Sequence, residues 1–415
     1  MLTVKPFRAL RPIPELAEKV SSLPYDVMNT QEAIQMAAGN DVSFLHIIRS
    51  EIDLPESTDP HSARVYEKAA ENLASFIKRG VLIKDETPHY YIYRQVMDAR
   101  VQTGICALAS IDDYESGKIK RHEFTLPEKE LDRIHNFLAC KAHTEPVFLI
   151  NKTNETIKKI ISQTTQAENP VYSFTSEDGI SHQLWVVNSK SDNDSLMQAF
   201  SDMDALYIAD GHHRTASSCR VGEQMRTEHP DYTGDEEFNF IMAVIFSEEE
   251  LHIMDYNRLL LDMGSFDKNS FIEKIRADFD IRKLGINEDR KAKKKHQFSM
   301  YLGEEWYELT AKVGSYESAD PVASLDASIL QKNIFEKLLG IEDPRTTKRL
   351  SFVGGIRGYS ELEKRVNGGE AAAAFGLYPV SISDLISVAD SGMVMPPKST
   401  WFEPKLRSGL FIHQF

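Results

Sequence analysis

Apolar residues recur along this chain with two periods. Ala63, Tyr66, Ala70, Leu73 and Ile77 fall on one helical face and Gly80 closes the stretch, so 62–79 reads as a helix. The run Val-Ser-Phe-Leu-His-Ile-Ile-Arg at 42–49 reads as a buried strand. Strands at 89–97 and 100–111 flank Met97-Asp98-Ala99 and predict a hairpin, and 170–175 with 182–188 predict a second pair around Glu177-Asp178-Gly179. Further strands fall at 146–150, 206–209, 239–246, 251–255, 297–302, 305–311, 350–353 and 371–378. Helices fall at 127–140, 153–163, 194–201, 212–228, 270–278, 325–338, 359–366 and 381–390. The opening segment, punctuated by Pro6, Pro12, Pro14 and Pro24, reads as loop, and Gly409–Phe415 as a short terminal strand. Strands and helices alternate without a regular βαβ rhythm. That predicts a mixed α/β (α+β) architecture rather than a doubly wound sheet.

At 415 residues the chain exceeds what one core sustains, and two packed domains are expected. The polar, turn-rich stretch Glu228–Asp235 sets the boundary: residues 1–235 form an N-terminal domain and 236–415 a C-terminal mixed α/β domain. Apolar content of 41% and charged content of 27% are those of a folded globular chain. The net charge of −15 disfavours a nucleic-acid partner or an anionic membrane, while leaving room for a local basic pocket. The basic run Arg290–Lys295 lacks interleaved aromatics and reads as a solvated loop. Cys106, Cys140 and Cys219 are odd in number and widely spaced, which suits a reducing compartment and small buried hydrophobes. With no apolar leader core and no membrane-length run, the expectation is a cytoplasmic protein.

The chemistry concentrates after the strand 206–209, in Ala209-Asp210-Gly211-His212-His213-Arg214. A strand that opens through a glycine into a helix leaves unpaired backbone N–H groups and partial positive charge at the corner, a ready anion site. Gly211 permits close backbone approach, and Arg214 adds a planar cationic fork for phosphate oxygens. Asp210 can hold a metal ion, Mg²⁺ in a phosphate site, or orient a hydroxyl. His212 and His213 offer proton transfer, and their roughly 100° separation on a helix lets only one face a ligand. The competing reading makes Asp210 an N-cap and the histidines surface groups; four functional residue types at one corner favour function.

The polar segment 118–146 is the second candidate. On a helix over 127–140, Lys129, Asp132 and Arg133 share a face, with His135 near Asp132. His122-Glu123 is not a zincin pair, because Leu126 stands where the second histidine belongs. From pattern alone an exposed, salt-bridged helix accounts slightly better for Lys129, Glu130 and Arg133. Asp26, in Pro24-Tyr25-Asp26-Val27, reads as a turn residue within reach of a site, and Glu145 as a loop carboxylate or a site residue. Phe352–Gly358 is a glycine-rich turn without P-loop or dinucleotide spacing. Met395–Arg407 is a proline-stiffened strap whose Lys398, Lys405 and Arg407 supply positive charge.

Together, Leu23-Pro-Tyr-Asp-Val27, Phe44–Arg49, His122-Glu123 with Lys129–His135, Glu145-Pro, Tyr207–Arg214, Phe352–Gly358 and Pro397–Arg407 resemble the bacterial and archaeal family called domain of unknown function 1015. The Asp-Gly-His-His-Arg core also resembles the ParB/sulfiredoxin class, which includes an archaeal ADP-dependent free-serine kinase. The resemblance implies a ParB/sulfiredoxin-like nucleotide-binding core in which residues 210–214 hold phosphate, with ADP or ATP and Mg²⁺ as cofactors and serine or O-phosphoserine as substrate.

The expected activity is a phosphotransferase or phosphatase acting on a small hydroxy amino acid. Glu123, Asp210, His212, His213 and Arg214 are its expected catalytic residues, with Glu123, taken from local chemistry, as base. Gly211, Arg214, His122, Lys129, Asp132, Arg133, His135, Lys398, Lys405 and Arg407 are the expected substrate and phosphate contacts. The partners are a small molecule and a nucleotide, with a homodimer left open. The rivals are a nucleotide-responsive regulatory protein and a metal-dependent hydrolase using His122, Asp210 and His212.

Overall fold

The computed structural model describes residues 1–415 and divides into two compact units. The first comprises Met1–Lys120, Thr125–Leu251 and Pro404–Phe415; the second comprises Arg121–Phe124 and His252–Glu403. The division falls after Leu251 rather than at the polar stretch near 235. The reason is the strand Phe240–Ser247, which pairs with Arg100–Ser110 on one side and Val147–Asn151 on the other and so lies inside the first unit's sheet. Both units mix helices with sheets, an α/β architecture without βαβ regularity. No helix is long and apolar enough to cross a membrane.

The first unit is built on a 9-stranded sheet. Its order runs Ile119–Lys120, Leu206–Asp210, Val147–Asn151, Phe240–Ser247, Arg100–Ser110, Tyr91–Met97, Ser181–Val186 and Tyr172–Thr175, with Val4–Lys5 also on Arg100–Ser110. Two pairings are parallel, Leu206–Asp210 with Ile119–Lys120 and Phe240–Ser247 with Val147–Asn151; the rest are antiparallel. The central strands read as continuous apolar runs because both faces are covered. The Tyr91–Met97 and Arg100–Ser110 hairpin closes through Asp98 and Ala99 at φ 50° and 64°, the left-handed pair a two-residue hairpin needs. One face packs Ile92, Ile105, Leu149, Phe200, Ile208 and Ile245 into a core. A second core gathers Tyr25, Phe44, Ile47, Leu73, Phe76 and Ile412 around the helix Ala63–Lys78.

The second unit holds a six-stranded antiparallel sheet ordered Phe279–Lys283, Glu305–Ala311, Gln297–Leu302, Ala373–Gly376, Tyr256–Leu260 and Leu350–Gly354. Phe271, Phe298, Leu309, Ile334 and Phe375 form its core. Arg290 and Lys295 of the basic run are bound by Glu363 and Asp384.

Three expectations change. Residues 42–49 are not a strand: Leu45–Ile48 is a helical turn with Leu45, Ile47 and Ile48 all buried. With three of its four residues buried, the turn has no clear period to separate it from a short strand. The opening segment is not all loop, since Thr30–Ala37 is a helix started by a capping box between Asn29 and Glu32. The helix Pro127–Cys140 is not a solvated one, because Glu130, Arg133 and Asn136 are buried on it.

Asp326 opens the helix that begins Asp326–Leu330 and is buried. Its Oδ1 accepts the His296 N–H at 2.8 Å, while Oδ2 has no hydrogen-bond partner. Burial pushes its carboxyl up to about 7, against the opposing pull of the His296 N–H and Lys295. The folded state therefore keeps a proton that the unfolded chain releases near pH 4, so stability falls as pH rises from about 4 to 7 and then levels off. Asp326→Asn is expected to melt like the wild type near pH 4 and to be more stable at pH 8, by on the order of 1 kcal/mol or more. Thermal unfolding across that range, with a constant gap between the two proteins, would refute this.

Candidate phosphate-binding site in the first unit

The strand Leu206–Asp210 ends at Gly211, whose φ of 88° only glycine adopts readily, and the helix His212–Glu228 starts there without a side-chain cap. The Arg214 guanidinium lies flat against this glycine. A Cβ on Gly211 would stand 3.1 Å from Arg214 Cζ and Nε, so a side chain there would displace the arginine by a few tenths of an ångström. Arg214 Nη1 donates to the Pro146 carbonyl at 2.5 Å, and Nε is buried with no partner. Burial would weaken the charge on Arg214, but Asp26, Glu145 and Asp210 more than restore it.

Asp210 Oδ1 accepts the Gly211 N–H at 2.8 Å, and its Oδ2 lies 3.0 Å from Lys405 Nζ. Burial would raise this carboxyl, yet Lys405 and Arg214 hold it well below the usual carboxylate range. Lys405 is itself fixed from the sheet. Its carbonyl accepts from Gln95 Nε2 at 2.8 Å, and Gln95 Oε1 accepts from Gln102 Nε2 at 2.9 Å, both glutamines being fully buried. The corner thus presents an arginine, a lysine and the first turn of a helix.

Glu145 ties this corner to the segments around it. It is 1% exposed. Oε1 accepts the Tyr25 N–H and the Ser408 hydroxyl, both at 3.1 Å, and Oε2 accepts Arg133 Nη1 at 3.2 Å. Arg133 also binds Asp132 Oδ2 through Nε at 2.9 Å and Nη2 at 2.6 Å, and its Cζ sits 3.9 Å from the Tyr25 ring centre. Asp132 takes the Tyr66 hydroxyl at 2.9 Å and His61 Nδ1 at 3.3 Å.

A cavity of about 360 Å³ opens on these groups. Its charged lining includes Asp26, Arg49, Glu51, Lys129, Asp132 and Arg133. Arg49 and Glu51 are paired at 3.0 Å, so the wall carries both signs close together, as a small zwitterion requires.

A family matches the chain over residues 4–328, under the description protein of unknown function, DUF1015. The chain belongs to the DUF1015 family. No curated protein matches it. Among solved structures, a free serine kinase in complex with AMP is similar at 12% identity and a TM-score of 0.35, over 72% of this chain and 86% of that one. A conserved hypothetical protein from Pyrococcus furiosus is similar at 13% and 0.36, over 76% and 96%. SbnI from Staphylococcus aureus, C-terminally truncated, is similar at 12% and 0.37, over 73% and 85%. Overlap this low says nothing of the chemistry of this DUF1015 chain.

Of the residues singled out in the sequence, the structure gathers Asp210, Gly211, Arg214 and Lys405 at one corner, with Asp132 and Arg133 joined to it through Glu145. Lys129 lies on the cavity lining, and the His135 ring packs 5.2 Å from Tyr66. His213 Nε2 accepts the Leu126 N–H at 3.0 Å, so that lone pair is already engaged; His212 is buried. Arg407 is committed elsewhere, to Asp178, to Ser176 Oγ at 2.9 Å and to His182 Nε2 at 3.2 Å, where burial and Arg407 push the histidine down to about 3. His122, Glu123 and Lys398 belong to the second unit, with His122 Nε2 3.3 Å from Thr400 Oγ1.

No group of three or more His, Cys, Asp or Glu is placed to hold a metal ion. Asp210 does not fit a magnesium ligand either, because one oxygen is taken by a backbone N–H and the other by an ammonium.

Tyr25, Asp26, Arg49, Glu51 and Glu145 are the residues that the motif reading underweighted. They come from three separate stretches, and only the apolar setting of Tyr25 and the Glu-Pro step hinted at burial. Removing Glu145 leaves the Tyr25 N–H and Arg133 Nη1 without their acceptor, with Arg133 held by Asp132 alone. Glu145→Ala is expected to cost about 3–5 kcal/mol of first-unit stability, and Glu145→Gln less, because its amide oxygen still accepts the Tyr25 N–H and the Ser408 hydroxyl although its NH2 cannot accept from Arg133. Equal urea midpoints for Glu145→Ala and the wild type would contradict the arrangement.

Proposed function

We propose that the first unit transfers a phosphoryl group to or from a small hydroxy amino acid, serine or O-phosphoserine, with ADP or ATP as its nucleotide partner. The observation that carries this is the buried Arg214 Nε, which has no partner and lies against Gly211 where a helix begins. An oxyanion at that edge gives the arginine the partner it lacks. It also meets the helix N-terminus and the Lys405 ammonium 3.0 Å from Asp210. The resemblance of the Asp210–Arg214 loop to phosphate-holding loops supports the same reading.

The residues divide the work as follows. The mixed-charge cavity at Tyr25, Arg49, Glu51 and Lys129 receives the amino acid, whose ammonium and carboxylate both find opposite charge. Arg214 and Lys405 neutralise the phosphoryl oxygens as charge shifts to the leaving oxygen, usually the largest contribution in such reactions. Asp210 holds Lys405 in place. Asp26 lines the cavity, is exposed, and is the foremost of the acids that act on Arg214, so it is the group we assign to take the hydroxyl proton. In that step the substrate oxygen forms a bond to phosphorus, the nucleotide oxygen leaves with the bonding pair, and the proton moves to the carboxylate. Glu123, the base expected from the sequence, lies in the segment Arg121–Phe124 of the second unit, and the step above does not use it.

Incubation with serine plus ADP or ATP, and with O-phosphoserine with and without ADP, followed by mass spectrometry, tests the reading. Conversion of one into the other is expected; no conversion under any condition removes the serine assignment. Arg214→Lys is expected to lower kcat by about 10²–10³-fold with the fold intact. Asp26→Asn is expected to lower it by about 10²–10⁴-fold, while Glu123→Gln stays near wild type. The reverse ranking of those two variants would transfer the base role to Glu123.

A further inference from the structure

The second unit holds a buried cation with no acid beside it. Arg258 lies on the strand Tyr256–Leu260 and is 4% exposed. Its Nη1 donates to the Tyr256 carbonyl at 2.6 Å and to the Lys398 carbonyl at 2.9 Å, and its Nη2 to the Pro397 carbonyl at 3.3 Å. All three acceptors are neutral. Of the five N–H groups on a guanidinium, this leaves Nε and one Nη2 hydrogen, the side-on edge with which arginine grips an oxyanion. Buried charges in proteins are ordinarily paired, and a buried cation left without an anion costs several kcal/mol. Burial pushes even this guanidinium down to about 10, the direction expected when no carboxylate compensates.

The surroundings suit a ligand. Phe352 faces the guanidinium at 4.8 Å and Tyr256 at 5.9 Å, and Lys398 Nζ stands 5.9 Å from the same Tyr256 ring. Lys398 has a φ of 59°, a left-handed backbone unusual for lysine, and this turns its carbonyl onto Arg258. Trp401 packs on Gly354 so closely that a Cβ there would be 2.7 Å from the indole, and its ring meets Tyr256 edge-on at 5.0 Å. The proline-stiffened strap and the glycine-rich turn, both conspicuous in the sequence, are thus pressed together around one arginine.

We propose that Arg258 and Lys398 form a second oxyanion site, one that uses neither Arg214 nor Lys405, and that takes a phosphate or carboxylate group between the 396–401 strap and the strand Tyr256–Leu260. The three carbonyls hold the guanidinium, and the ligand supplies the negative charge the fold does not.

Calorimetric titration of the full-length protein with inorganic pyrophosphate, and separately with malonate, tests this; whichever binds identifies phosphate or carboxylate as the preferred group. The Lys405→Ala variant, crippled at the first-unit corner, is expected to retain binding. Lys398→Ala, at an exposed position, is expected to weaken that retained site about tenfold, as is Arg258→Lys, which keeps the charge but loses the fork. Wild-type affinity in the Lys398→Ala variant, or no binding of either anion to the Lys405→Ala variant, overturns the proposal. Should Arg258→Lys fail to fold, the Lys398→Ala comparison decides alone. Loss of the serine reaction in the Arg214 variants leaves this site untouched, so the two assignments fail separately.

Discussion

A buried carboxylate must be answered by donors, and Glu145 is answered by three segments far apart in the chain. The Tyr25 N–H, the Arg133 guanidinium and the Ser408 hydroxyl all converge on it. Desolvating one acid therefore draws together the N-terminal turn, the helix Pro127–Cys140 and the C-terminal segment. The next residue extends the effect, since the Pro146 carbonyl holds Arg214. Two arginines are positioned by one dipeptide, one through a side chain and one through a backbone oxygen. The C-terminal segment also exchanges hydrogen bonds with Ser22 through Ser408, at 3.1 and 2.9 Å, which sets Lys405 at the same corner.

The charge balance at this corner differs from that of the whole chain. A net charge of −15 keeps large polyanions away, yet Arg133, Arg214 and Lys405 are concentrated where solvent is largely excluded. Arg133 and Lys405 are each tied to an acid, and these ties act as orientation rather than cancellation. Asp210 aims Lys405, Glu145 and Asp132 aim Arg133, and Arg214 keeps one buried N–H unspent. Preorganised cations of this kind require no rearrangement when charge develops on a phosphoryl group.

Much of the fold was legible because the elements are long and locally consistent. The strands 297–302 and 305–311 and the helix from 212 to 228 coincide with Gln297–Leu302, Glu305–Ala311 and His212–Glu228. Short, mostly buried pieces were not legible, and Leu45–Ile48 shows why: four residues, three of them buried, are too few to show a period. The corner at 210–214 was visible because its residues are contiguous. Lys405 could be named as a cation in the strap but not placed, since its partner Asp210 lies 195 positions away. Glu145 and Asp26 were harder still, because a single acid in a loop carries no pattern and its role exists only in three dimensions.

The central claim is that the Arg214 edge and Lys405 receive a phosphoryl group. A crystal structure of the protein grown with O-phosphoserine examines it directly. The account predicts phosphate oxygens within hydrogen-bonding distance of Arg214 Nε and Lys405 Nζ, with the amino-acid portion directed into the cavity lined by Tyr25 and Arg49. Density for the ligand elsewhere, with Arg214 Nε still lacking a partner and Lys405 still held by Asp210, would contradict it.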